Sequence, residues 1–123
     1  MDTAVLQGQI NDAKAAHESW KVKLRSAIDS GVLPKPARDI TMDDQCSFGK
    51  WLKSLANDPE IRGNLKYSAV VRAHAAFHRQ AGKVASYVEQ DNQTMARDAL
   101  TGGAFQESTS RLNAAMDDWL RSI

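Results

Sequence analysis

The sequence has one cysteine, Cys46, so no disulfide can form within the chain. A lone thiol fits a reducing compartment better than a disulfide-stapled secreted scaffold. Neither sign of charge dominates: 16 Lys and Arg stand against 15 Asp and Glu, a formal net charge of +1 with no long run of either. That balance gives no electrostatic ground for nucleic acid or an anionic membrane as the main partner. No apolar stretch approaches the ~20 residues of a membrane span. The segment from Met1 to Ile10 carries Asp2, Gln7, Gly8 and Gln9 instead of the basic and apolar blocks of a signal peptide. Strands are missing as well, because no alternating run is bounded by turn residues. Repeats and low-complexity segments are absent. What remains is the expectation of a soluble, cytoplasmic, all-α chain forming one domain over residues 1–123. At this length a fold buries roughly two-thirds of its unfolded surface and needs no covalent staple.

Helical periodicity is the strongest positive signal. Ile10, Ala13, His17, Trp20, Leu24 and Ala27 alternate spacings of three and four. They predict a helix from about Thr3 to Ser30, stopped by Gly31 and by Pro34 and Pro36. A second stripe runs Tyr67, Val70, His74, Phe77, Ala81, Val84, Val88. A third runs Phe105, Thr109, Leu112, Met116, Trp119, Ile123, with Met95 and Ala99 on its N-terminal extension and Gly102-Gly103 interrupting it. Between the first two lies a short stripe, Phe48, Trp51 or Leu52, and Leu55, with Asp43 or Asp44 available to cap it. Asp58-Pro59 closes that segment and opens the next helix. Gly31 to Met42 reads as the only long irregular piece. The pattern predicts a four-helix-bundle-like fold with long antiparallel helices and one short extra helix carrying Cys46. The fourth wall comes either from Met42–Ala56 with Glu60–Asn64 or from a break at Gly102-Gly103.

The chemistry rests on the histidines. There are three, His17, His74 and His78, and His17 and His74 fall inside apolar stripes. A single core histidine is ordinarily explained by a bond to a backbone carbonyl. His74 and His78, however, are four residues apart, which puts both on one helix face with Cβ atoms about 6 Å apart. If the first two long helices pack antiparallel, the middle of one faces the middle of the other and His17 joins them. Cys46 starts the short helix just before Phe48 and Trp51, whose burial draws it inward. Three imidazoles and a thiolate suit tetrahedral zinc. Calcium and magnesium want oxygen ligands, and a non-haem iron site in a bundle wants carboxylates that lie off these stripes.

Three segments carry a family resemblance: His17-Glu18-Ser19-Trp20-Lys21, Cys46-Ser47-Phe48-Gly49-Lys50-Trp51-Leu52, and His74-Ala75-Ala76-Phe77-His78, with Gly103-Ala104-Phe105 and Ser108 further on. They match the H-x-x-W-K, C-x-x-G-K/R-W and H-x-x-x-H motifs in order, and the chain resembles the chemoreceptor zinc-binding domain of bacterial chemoreceptors and diguanylate cyclases. The resemblance implies an α-bundle, a homodimer, and His17, Cys46, His74 and His78 as ligands of Zn2+. It also implies sensing of zinc or, through the zinc-bound cysteine, of hypochlorous acid. Such domains accompany a signalling output module, here expected in cis or in trans.

Around the ligands, Trp20 and Trp51 are expected as core residues that keep water off the metal. Asp43 and Asp44 are expected as helix caps or as acceptors for a ligand imidazole N–H. Gly49 permits close backbone approach. Lys21 and Lys50 flank the site, most simply as solvated charges with buried stems. Four protein ligands close the coordination sphere, so hydrolytic catalysis is not expected. Loss of zinc and oxidation of Cys46 are both candidate signals, and a structural zinc that merely stabilises a dimer is the alternative.

Overall fold

The computed structural model describes residues 2–123; Met1, the first residue of the expected domain span, lies outside the described residues. Asp2 starts helix α1 (Thr3–Ser30) by accepting the Ala4 N–H at 3.0 Å, and Gly31 ends it at φ +76°, a left-handed conformation that suits glycine. Its buried side is the predicted stripe with Ile28 added. Three short helices follow, α2 (Ala37–Thr41), α3 (Ser47–Leu55) and α4 (Pro59–Arg62), then the long α5 (Leu65–Glu89), α6 (Gln93–Thr101) and α7 (Gly103–Ser122). Asp58 caps α4 ahead of Pro59, as expected of an N-cap followed by proline. No strand occurs among the described residues.

Residue pairs give the directions. His17 meets His74 and His78, while Ile28 and Gly31 share a crevice with Val88, so α1 and α5 run parallel. The expected antiparallel pairing of these two helices is therefore corrected. The reason lies in the segment between them, which makes a full traverse of its own. Thr41 lies against Gly82, Ile40 bonds His78, Cys46 reaches His74, and the Tyr67 hydroxyl donates to Leu52 O at 2.6 Å. One number falls as the other rises, so α2 to α4 form a fourth wall antiparallel to α5. The returning wall is α6 with α7: Phe105 packs on Phe77, Trp119 on Tyr67, and Asp118 pairs with Lys66. The result is an up-down-up-down bundle.

Two local readings change with this. The stretch from Gly31 to Met42 contains α2, whose Ile40 is fully buried and whose first N–H, that of Ala37, is held by the Glu89 carboxylate at 3.0 Å. In α6 the buried positions are Ala96 and Leu100, whereas Met95 is 42% exposed. The break at Gly102 resets the helical phase, so the stripe of α7 cannot be extended back through it. Arg97 pairs with Asp29 and the Gln93 amide donates to Ile28 O, which ties α6 to the last turn of α1.

Candidate metal centre

The bundle brings one side chain from α1, one from the start of α3 and two from α5 to a common point. The donor atoms of His17, Cys46, His74 and His78 all lie within 4.8 Å of one another. His74 Nε2 is 3.1 Å from His17 Nε2 and 3.0 Å from His78 Nε2. Cys46 Sγ is 3.4 Å from His74 Nε2 and 3.6 Å from His78 Nε2. A tetrahedral ion with ordinary zinc bond lengths has N···N edges of about 3.3 Å and N···S edges of about 3.6 Å. These four separations are close to those edges, and no pair of donors is further apart than 4.8 Å.

Hydrogen bonding sharpens the case. His17 Nδ1 lies 2.7 Å from Ala13 O, and His78 Nδ1 lies 2.8 Å from Ile40 O. A carbonyl oxygen only accepts, so both Nδ1 atoms carry protons and both neutral rings present a bare Nε2 lone pair. Burial holds the rings neutral, taking His17 down to about 4 and His74 to about 2, with the neighbouring histidines adding to the second shift. His78 is also lowered, chiefly by burial, although the Ile40 bond works the other way. At most one hydrogen from His74 and one from Cys46 are then available to a centre of four converging donor atoms. Such a centre is short of positive charge, and a divalent cation supplies it. The residues fit the metal that their chemistry suggests.

Cys46 differs from the other three. It is the N-cap of α3, and its sulfur accepts the Gly49 N–H at 3.3 Å. Burial pushes its thiol pKa up, against the pull of the Gly49 and Phe48 N–H groups and of the Lys35 charge. A cation at the centre reverses that balance and favours thiolate. Close approach at Gly49 is demanded by the fold, since a Cβ there would lie 1.6 Å from Asp43 O.

The residues expected around the ligands divide. Trp20 is 8% exposed and lines the same cavity as His17 and Cys46. Trp51, expected in the core, is instead half-buried at its edge, where it stacks on Phe48 and Trp119, one ring removed from the imidazoles. Asp43 and Asp44 neither cap α3 nor accept from a ligand histidine. Cys46 itself caps the helix, Asp44 pairs with Lys53 at 3.0 Å, and backbone carbonyls take the imidazole N–H groups. The reason is reach: the two rings already face carbonyls on their own or the adjacent wall. Phe48 packs edge-on against His17 and His74, and Phe77 against His17 and His78. In the sequence Phe48 and Phe77 are visible only as members of apolar stripes, with no sign of their contact with the site. Lys23 and Lys35 border the Cys46 cavity, and Lys21 and Lys50, expected as flanking solvated charges, do not line it.

A family model described as the chemoreceptor zinc-binding domain matches residues 17–85, from the first histidine through both histidines of α5. No curated protein and no solved structure matches the chain. No helix among the described residues is long and apolar enough to cross a membrane.

Proposed function

The chain belongs to the chemoreceptor zinc-binding domain family, and from that premise we propose that it is a zinc-binding regulatory domain whose site controls how the α2–α4 wall packs on the bundle. His17, Cys46, His74 and His78 are the proposed ligands. Bound Zn2+ supplies the charge that holds the Cys46 sulfur as thiolate and links three walls of the bundle. The observation that carries the reading is the convergence of four donors within 4.8 Å, with carbonyl bonds leaving two Nε2 atoms as bare lone pairs. Four protein donors fill a tetrahedron, so the site serves regulation better than catalysis.

The ligand that moves is Cys46. The three histidines are at most 4% exposed and sit within long helices, whereas Cys46 is half-buried at the end of a nine-residue helix. Its departure frees α3 and the Asp43 carbonyl that Gly49 packs against, without unfolding α1 or α5. Two stimuli act on it in this proposal. Scarcity of zinc empties the site. Hypochlorous acid oxidises the sulfur: the thiolate attacks chlorine and expels hydroxide, then water displaces chloride to leave a sulfenic acid. Sulfur gives up two electrons, and the chlorine that takes them leaves as chloride. Sulfenate is a poorer ligand than thiolate, and recovery requires an external thiol because no second cysteine is present. The readers of the change are a second copy of the chain and a receptor or cyclase output module, in cis or in trans.

Elemental analysis of protein purified without chelator or affinity-tag metal tests the reading. We expect one zinc per chain, lost when His74 and His78 are both replaced by alanine. Metal-free protein of full thermal stability would overturn it. An undiminished response to oxidant in Cys46→Ser would remove the thiol as trigger while leaving zinc occupancy as signal.

A further inference from the structure

One cavity of the bundle opens directly onto the metal centre. It has a volume of about 400 Å³, and His17, Cys46, Trp20, Lys23, Lys35 and Asp12 are among its lining residues. Cys46 is the one proposed ligand that is not fully buried, so its sulfur is the donor most accessible from this cavity. Two lysines line it, and both approach the Trp20 ring. Lys23 Nζ stands 5.1 Å and Lys35 Nζ 5.6 Å from the centroid of the Trp20 ring. Neither has a carboxylate within salt-bridge distance among the described residues, as is also true of Lys21, Lys50 and Lys83; what sets Lys23 and Lys35 apart is that both line this cavity and approach the Trp20 ring. Asp12 is the single acid on the lining, and it leaves the cavity with an excess of one positive charge. The indole face attracts both cations electrostatically, but it cannot cancel their charge. Field lines from unpaired charges focus in a cleft with low-dielectric walls, and Cys46 lines the same cleft as both lysines.

We propose that this cavity is a binding site for a small anion, drawn in by Lys23 and Lys35 across the Trp20 ring and delivered against Cys46 Sγ. The proposal rests on the metal reading for its purpose, since it would select which solutes reach the ligated sulfur. Its geometry is independent of that reading. Because Cys46 is the sole cysteine, its chemistry can be followed without ambiguity.

The experiment compares alkylation of Cys46 by iodoacetate, an anion, and iodoacetamide, its neutral analogue of similar size. Rates are read by intact mass on zinc-replete full chain, with zinc measured in the same samples. Lys23→Gln and Lys35→Gln are tested singly and together. We expect the iodoacetate rate to fall about three- to tenfold in the double variant, as removal of two unit charges from the lining of the same cleft in high dielectric implies. The iodoacetamide rate should change less than twofold. Equal changes for both reagents, or none for either, would overturn the anion site. Protein that holds no zinc but keeps the lysine-dependent preference would overturn the metal reading and leave the anion site standing. Zinc-replete protein indifferent to both lysines would overturn the anion site alone.

Discussion

Thr41 and Gly82 touch so closely that a Cβ on the glycine would lie 1.8 Å from the threonine hydroxyl oxygen and 2.8 Å from its Cα. This contact seats α2 directly on α5. One residue earlier, Ile40 offers the carbonyl that orients His78, so the missing side chain at position 82 sets a bond at the proposed metal centre. Gly82→Ala is expected to lift α2 and to cost about 1–3 kcal/mol through overpacking. Zinc affinity should fall about 10–100-fold, as when the partner that orients a ligand is lost. A chelator-competition titration checks the second value. Thr41→Gly in the same background should restore part of it, because the hydroxyl and Cβ contacts then vanish.

Gly49→Ala meets a harder obstacle. The new methyl would sit 1.6 Å from Asp43 O and 2.8 Å from its carbonyl carbon, and backbone has no rotamer to escape into. The variant must displace either the turn before Cys46 or α3 itself. We expect a larger loss of thermal stability than for Gly82→Ala, together with sub-stoichiometric zinc. Unchanged zinc content would show that the turn yields without moving the sulfur.

The parts of the fold that follow helical period and capping were legible in the sequence. Thr3–Ser30 is bounded by Asp2 and Gly31, and the stripe from Tyr67 to Val88 lies within α5. The convergence of donors was legible because His17 and His74 fall in apolar stripes, His78 lies one turn from His74 on the same helix face, and Cys46 directly precedes the apolar positions of its short helix. Direction was not legible: parallel packing of α1 and α5 depends on a wall made of α2, whose five residues are too few to show a period. The carbonyls of Ala13 and Ile40 escaped for a different reason, since backbone acceptors leave no trace in residue type. The lysines lining the cavity escaped because Lys23 and Lys35 come from two elements that meet only in the folded chain.

Replacing His74 by leucine separates the site from the core. His74 Nε2 faces His17 Nε2 and His78 Nε2 at once, and a single proton cannot serve both contacts. In chelator-treated protein the leucine variant should therefore be more stable than the parent by about 1–3 kcal/mol, the cost of an ill-satisfied buried polar group. With zinc at a thousandfold excess over Kd the order should reverse, because the parent then gains about 4.1 kcal/mol of binding energy, more than that deficit. Urea unfolding of both proteins with and without zinc checks the crossing. Parallel behaviour in the two conditions would mean that the imidazoles are stabilising core groups and not a site held for a metal.

The same buried rings give metal-free protein a pH dependence of known sign. Desolvation lowers His17 from its ordinary 6.5 to about 4 in the folded chain. Between those values the unfolded chain binds the proton and the folded chain does not, so stability falls as pH drops. His74, lowered to about 2, acts in the same direction over a window that extends further into acid. In chelator-treated protein the urea midpoint should hold steady above pH 7 and decline from about 6.5 to 5, before most carboxylates titrate. His17 alone contributes up to about 3 kcal/mol across its full window. Leucine at position 17 should flatten part of the decline, and leucine at 74 another part. A midpoint constant from pH 7 to 5 would show that the metal-free imidazoles have turned out to water and carry no such linkage.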